Sequence, residues 1–299
     1  MPEVELSSGT VEYRDTGGDG PTLVLLHGLL MDGSLWDGPI AELAADHRCV
    51  APTLPLGAHR QPMRADADLS LTGIAHLVFE LLDRLDLHDV TLIGNDTGSA
   101  LVQLMLAGGA PRVGRVVLTS GEAFDNLPAR LTGRTLALAG RLSPGLFGLF
   151  LSQLRVKAVR RLPIAFGWLT KRGDAATAHW VRPVLTQAAI RRDTVRLLRA
   201  SADSRQLRAA AEHLPRFTGP ALVVWASEDR IMPAEHGRRL AALLPHARLV
   251  EIEDSYTLLP LDQPVRLAQV VRAFLSESAG QRAPERAAPK DDPQHGTRT

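Results

Sequence analysis

The chain of 299 residues is 45% hydrophobic, enough for one large domain or for a domain carrying an insertion. Its 34 basic and 33 acidic side chains leave a formal charge of +1, a balance that points to neither nucleic acid nor an anionic membrane as partner. A single cysteine, Cys49, excludes an internal disulfide framework, and no apolar run reaches the length of a membrane span. The opening Met1-Pro2-Glu3-Val4-Glu5-Leu6 has neither a basic head nor an apolar h-region, so the expectation is a cytoplasmic protein without membrane contact.

Residues 4–6 and 11–13 flank Ser7-Ser8-Gly9-Thr10, a hairpin signal. Residues 22–26 form a continuous apolar run, the pattern of a strand buried on both faces of a parallel sheet, and end in His27-Gly28-Leu29-Leu30. A helix is predicted over 34–45, a strand over 49–52, a helix over 69–85, and strands over 90–93 and 116–119. This alternation predicts an α/β fold with a mostly parallel sheet. The pattern then changes: from 126 to 217 there are only helical stretches punctuated by Pro128, Pro144, Pro163 and Pro183. That predicts a helical insertion, residues 126–216, above a core of 1–125 and 217–277. Sheet rhythm resumes with a strand over 221–225, a helix over 234–244, a strand over 247–252 and a helix over 264–276. The polar stretch 278–299 has too few apolar residues to fold and is predicted to be disordered.

The most informative stretch is Val90-Thr91-Leu92-Ile93-Gly94-Asn95-Asp96-Thr97-Gly98. A buried strand running into Gly-x-Asp-x-Gly and then a helix predicts a very sharp turn, with glycines where a Cβ would collide. Asp96 sits at its tip, facing the first N–H groups of the helix, which favour a negative charge.

Three landmarks in chain order carry a family resemblance: His27-Gly28 after the third strand, the Asp96 turn, and Trp225-Ala226-Ser227-Glu228-Asp229-Arg230-Ile231-Met232-Pro233 after the seventh. Together they resemble the α/β-hydrolase superfamily, in its aspartate-nucleophile branch of haloalkane dehalogenases and epoxide hydrolases, over about residues 4–125 and 217–276. The resemblance implies an eight-stranded, mostly parallel sheet with a helical cap after the sixth strand. It implies Asp96 as nucleophile, the N–H groups of Leu29 and Thr97 as its anion-stabilising pair, and Asp229 as the acid that orients a histidine. Glu228 and Asp125 are lesser candidates for that acid. Dehalogenases of this kind place Trp and Asn where this chain has Thr97 and Leu29, so the halide-binding side chains are missing. Trp36 is a candidate pocket residue or a packing residue. No metal-ligand spacing, phosphate loop or dinucleotide fingerprint occurs, so no metal or cofactor is implied, and the partner expected is a small-molecule substrate.

One departure dominates. Where the family reads D-S-G-H before its E-Q-P, this chain reads Asp254-Ser255-Tyr256-Thr257, with Asp262-Gln263-Pro264 fixing the register. Thr257 stands at the histidine position, and a hydroxyl cannot act as a base at neutral pH. His59, in the loop after the fourth strand, is the best-placed substitute. His179 is a second candidate from the insertion, His27 reads as shaping its own turn, and His236 and His246 read as surface. Three uses of the site follow: hydrolysis through Asp96 with a recruited base, non-hydrolytic acid–base chemistry by Asp96 and Asp229 with hydrogen bonds from Tyr256 and Thr257, or ligand binding alone. Leu146, Phe147, Leu149, Phe150, Phe166 and Trp168 are candidate pocket lining. Arg155, Arg160, Arg161 and Arg172 suit an anionic substrate or a solvated face.

Overall fold

The computed structural model describes residues 1–201 and 204–280. Eight strands form one sheet in the order β1-β2-β4-β3-β5-β6-β7-β8. They are β1 (Glu3–Leu6), β2 (Gly9–Asp15), β3 (Thr22–Leu26), β4 (Arg48–Pro52), β5 (Val90–Asp96), β6 (Val113–Gly121), β7 (Ala221–Ala226) and β8 (Ala247–Ile252). Only β2 runs against the rest, pairing antiparallel with β1 and β4, while the ladders from β4 through β8 are parallel. The central strands are apolar without alternation because both faces are covered: Leu23 to Leu26, Val116 to Leu118 and Leu222 to Trp225 are fully buried.

The helices before and beside the sheet are α1 (Asp37–Leu43), α2 (Leu71–Arg84) and α3 (Thr97–Ala107). The predicted first helix is split. Asp32 accepts the Ser34 N–H and starts a 3-10 turn over Gly33–Trp36, after which α1 begins with Pro39 in its first turn. Helix α2 starts at Leu71, two residues inside its predicted start, because Ser70 caps it by accepting the Gly73 N–H, and its buried Leu71, Ile74, Val78, Leu81 and Leu82 fall on one face.

No strand occurs between β6 and β7 among the described residues. The interval holds α4 (Arg130–Ala139), α5 (Pro144–Ser152), α6 (Lys157–Arg160), α7 (Asp174–Trp180), α8 (Arg182–Thr186), α9 (Ala188–Ala200) and α10 (Arg205–His213). Helix α10 packs along α3, so it belongs to the layer flanking the sheet and not to the covering above it. The chain closes with α11 (Ala234–Leu243), α12 (Leu259–Asp262) and α13 (Pro264–Gly280). Helix α13 packs on α1 and continues past its predicted end, because Phe274, Leu275 and Ser278 are buried and Ser278 Oγ accepts from Arg115 Nε at 3.1 Å. Residues 278–280 are therefore helical, and the rest of the tail predicted to be disordered lies outside the described residues.

Candidate active site

Strand β5 ends in Asp96 with φ 54° and ψ −124°, a strained backbone conformation that L residues, Asp included, seldom adopt. The turn closes only because of its glycines: a Cβ on Gly94 would strike the Gly98 carbonyl, and one on Gly98 the Leu26 carbonyl. The β3 turn comes close enough that a Cβ on Gly28 would overlap the Asp96 carboxylate. At that distance Leu29 N–H donates to Asp96 Oδ2 at 3.2 Å, and the Thr97 N–H adds a second contact. Leu29 and Thr97 are thus where the sequence places them. Burial raises the Asp96 pKa to about 6, against the pull of these N–H groups.

Asp96 opens onto a cavity of about 200 Å³. The core contributes Leu29 and Ile231, and the helical insertion contributes Leu136, Phe150 and Phe166 among others. Two ionisable side chains line it among the described residues, Asp96 and Glu122. The sequence reading missed Glu122. Strand β6 runs to Gly121, two residues beyond its predicted end, so Glu122 and not Asp125 is the carboxylate that emerges at the carboxyl edge beside β5. Glu122 is 5% exposed, Thr97 Oγ1 donates to its Oε1 at 3.3 Å, and its Oε2 is buried without a hydrogen-bond partner. Burial, and then the nearby Asp96 charge, raise its pKa well above the usual carboxylate range.

Asp229 has a different setting. Its Oδ1 accepts from Ile231 N, Met232 N and Thr257 Oγ1 at 2.9, 2.8 and 2.9 Å, so it closes its own loop. Burial still raises its pKa, but it does not line the cavity, and the carboxyl that does so beside Asp96 is Glu122. Thr257 is fully buried; its carbonyl accepts from Asn95 Nδ2 at 2.8 Å, and Asn95 also reaches Thr119 Oγ1 and the Ser120 carbonyl. Asn95, a second residue the sequence reading passed over, ties the Asp96 turn to β6 and to the Thr257 loop.

No histidine among the described residues lines the cavity. His27 is a turn residue, as read from sequence: Leu54 N–H donates to Nε2 at 2.8 Å, which leaves the ring proton on Nδ1 for the Gly28 carbonyl at 2.9 Å. Burial lowers its pKa to about 4. His59 is corrected as a base candidate, because its Nε2 lies 3.5 Å from Asp193 of α9 and both side chains are buried in that seam. His179 faces Asp32 at 3.3 Å. His236 is buried and packs edge-on against Phe124, 5.2 Å between ring centres, so it is not a surface residue.

Trp36 packs in the core and Tyr256 lies between Lys171 and Arg230 on a polar groove, so neither lines the cavity. Asp125 points to solvent, and Glu228 pairs with Lys171 at 2.8 Å. Phe150 and Phe166 line the cavity as expected. Phe147 is buried away from it, while Leu146 and Leu149 face outward. The four arginines named from sequence lie elsewhere.

The geometry agrees with comparison to known proteins. The model of the alpha/beta hydrolase fold family matches residues 21–264. An uncharacterized protein of Mycobacterium tuberculosis is 27% identical, covering 86% of this chain and 76% of its own. A 2-hydroxy-6-oxononadienedioate/2-hydroxy-6-oxononatrienedioate hydrolase of Cupriavidus pinatubonensis is 25% identical, covering 82% of this chain and 85% of its own. In structure, the ancestral haloalkane dehalogenase AncHLD2 superposes with a TM-score of 0.75 at 22% identity over 94% of this chain and 100% of that one. The sheet order, the sharp turn after β5 and the family match over residues 21–264 lead to one conclusion: the chain belongs to the α/β-hydrolase fold family.

Proposed function

We propose that this protein hydrolyses a small, largely apolar epoxide or ester through a covalent intermediate on Asp96, an alkyl ester from an epoxide and an acyl anhydride from an ester, with Glu122 in the proton-handling role that histidine usually fills. One observation carries the reading. Two buried carboxyls, one on a strained turn and held by two backbone N–H groups, face the same apolar cavity with a hydroxyl between them.

With like charges close together, one proton serves both groups near neutrality. Asp96, which accepts the Leu29 and Thr97 N–H groups, is the ionised nucleophile, and Glu122, whose Oε2 has no hydrogen-bond partner, holds the proton. For an epoxide, an Asp96 oxygen attacks a ring carbon, the ring C–O bond breaks, and the alkoxide takes the Glu122 proton. Asp96 is now a neutral ester, so the charge that opposed ionisation of Glu122 has gone. Water then attacks Cγ and gives one proton to Glu122, while the Leu29 and Thr97 N–H groups hold the oxyanion. Collapse expels the substrate oxygen, which takes the proton left on the new Cγ hydroxyl. The sum is epoxide plus water to diol, with both carboxyls restored. A protonated Glu122 assists oxygen leaving groups and does nothing for a halide. Leu29 and Thr97 also offer no halide-binding side chain, so the reading favours epoxides and esters over haloalkanes.

Turnover of aryl epoxides and aryl esters, measured in the wild type and in Asp96→Ala, tests this. Turnover that is abolished by the substitution supports it, and turnover that survives it removes the reading. Catalysis without an adduct on Asp96 would favour acid–base chemistry by the two carboxyls instead.

A further inference from the structure

The overall charge balance conceals a strong local asymmetry. Residues 126–173 contain nine Lys or Arg and no Asp or Glu, within a chain whose formal charge is +1. Lys157 and Arg160 pair with Asp174, and Lys171 and Arg172 with Asp254, which leaves Arg130, Arg134, Arg141, Arg155 and Arg161 for an outer surface. The same segment carries eight of the ten exposed large hydrophobic side chains of the described residues, between Leu131 and Ile164. Scattered apolar side chains on a surface are ordinary, but a concentration of this kind marks a contact surface.

The two features share faces. On α4, Leu131, Arg134 and Leu138 follow at spacings of three and four residues and are all exposed, Leu138 at 64%. On α5, Leu146 and Leu149 are one turn apart and exposed, Leu149 at 69%. The opposite faces of these helices line the cavity through Leu136, Phe150 and Leu151. Leu162 and Ile164 do both: each is more than 40% exposed and each lines the cavity. The apolar outer surface is therefore continuous with the entrance to the Asp96 cavity.

We propose that the α4–α5 face docks on a lipid surface carrying anionic headgroups, leucines inserted at the acyl boundary and arginines on the phosphates. Leucine with Lys and Arg, and no acidic residue, is the composition of interfacial helices, and long basic side chains reach outward while their stems lie along the apolar layer. No described helix is long and apolar enough to cross a membrane, so the contact is with the surface. The expectation drawn from net charge averages this basic segment against an acidic remainder. The docking stands apart from the chemistry proposed for Asp96. Resting on that chemistry, it also places the cavity entrance where an apolar substrate dissolved in the bilayer enters without crossing water.

Flotation of the full chain with vesicles tests it. Vesicles of phosphatidylcholine with 30% phosphatidylglycerol should carry the protein upward at low salt, phosphatidylcholine alone should not, and 0.5 M NaCl should release it. Leu138→Ser with Leu149→Ser should cut binding at least tenfold, and Arg134→Ala about fivefold, with thermal midpoints unchanged because all three side chains are exposed. No binding to the anionic vesicles, or binding that both variants leave intact, overturns the proposal. So does a wild-type dimer that the leucine variant dissociates without any vesicle binding, since a second copy would then cover this face.

Discussion

The hydroxyl of Thr257, at the place that the family resemblance assigns to a histidine, donates to Asp229 Oδ1 at 2.9 Å. Asp229 is therefore fixed, by this bond and by the N–H groups of Ile231 and Met232, in a position from which it would orient an imidazole placed at residue 257. Thr257→His should raise turnover about tenfold or more by adding that base. Because Thr257 is fully buried, the larger ring should also cost about 1–3 kcal/mol of stability. Steady-state rates with thermal melting check both.

Glu122→Gln keeps the shape of the side chain and removes its proton transfer. It should lower kcat by about a hundredfold or more with little change in KM. Adding Thr257→His to this variant should restore much of the rate. Equal rates in wild type and Glu122→Gln would take Glu122 out of the chemistry.

Asp96 gives a pH signature. Its folded pKa of about 6 exceeds its unfolded value of 3.8, so its contribution to stability is fullest below 3.8 and is lost as pH rises through 6. Asp96→Asn should therefore be more stable than the wild type at pH 8, by roughly 3 kcal/mol, with the advantage vanishing near pH 4. The kcat/KM profile should rise through about pH 6 as Asp96 ionises, then fall as Glu122 loses its proton.

His27 acts in the opposite direction over the same range. Its folded pKa of about 4 lies below the ordinary 6.5, so the stability it contributes is complete above 6.5 and is lost as pH falls toward 4. His27→Gln retains a donor for Gly28 and an acceptor for Leu54. It should remove roughly 3 kcal/mol of that acid-side fall, read from denaturation at pH 7 and pH 4.

The sequence carried the fold well, because its signals are local. Apolar runs mark strands buried on both faces, and the glycines flanking Asp96 are demanded by contacts one turn away. Leu29, Thr97 and His27 were legible for the same reason. Glu122 was not, since its position depends on β6 extending two residues further than its apolar run, to pair beside Asp96. His59 illustrates the converse. Its loop lies at the right edge of the sheet, but Asp193, 134 positions later in the chain, claims the ring, and no local pattern announces that pairing. Trp36 takes the packing role read for it beside the pocket one, and Tyr256 lies off the cavity because a motif fixes a backbone position and not the direction of a side chain.

A single turnover of an aryl epoxide in H₂¹⁸O, with enzyme in excess, tests the ester on Asp96 most directly. The mechanism sends water to the Asp96 carboxyl carbon, so the label should appear in the peptide containing Asp96 while the first diol released carries none. Label in the first diol, with Asp96 unlabelled, would mean that water attacks the substrate itself and that no ester forms.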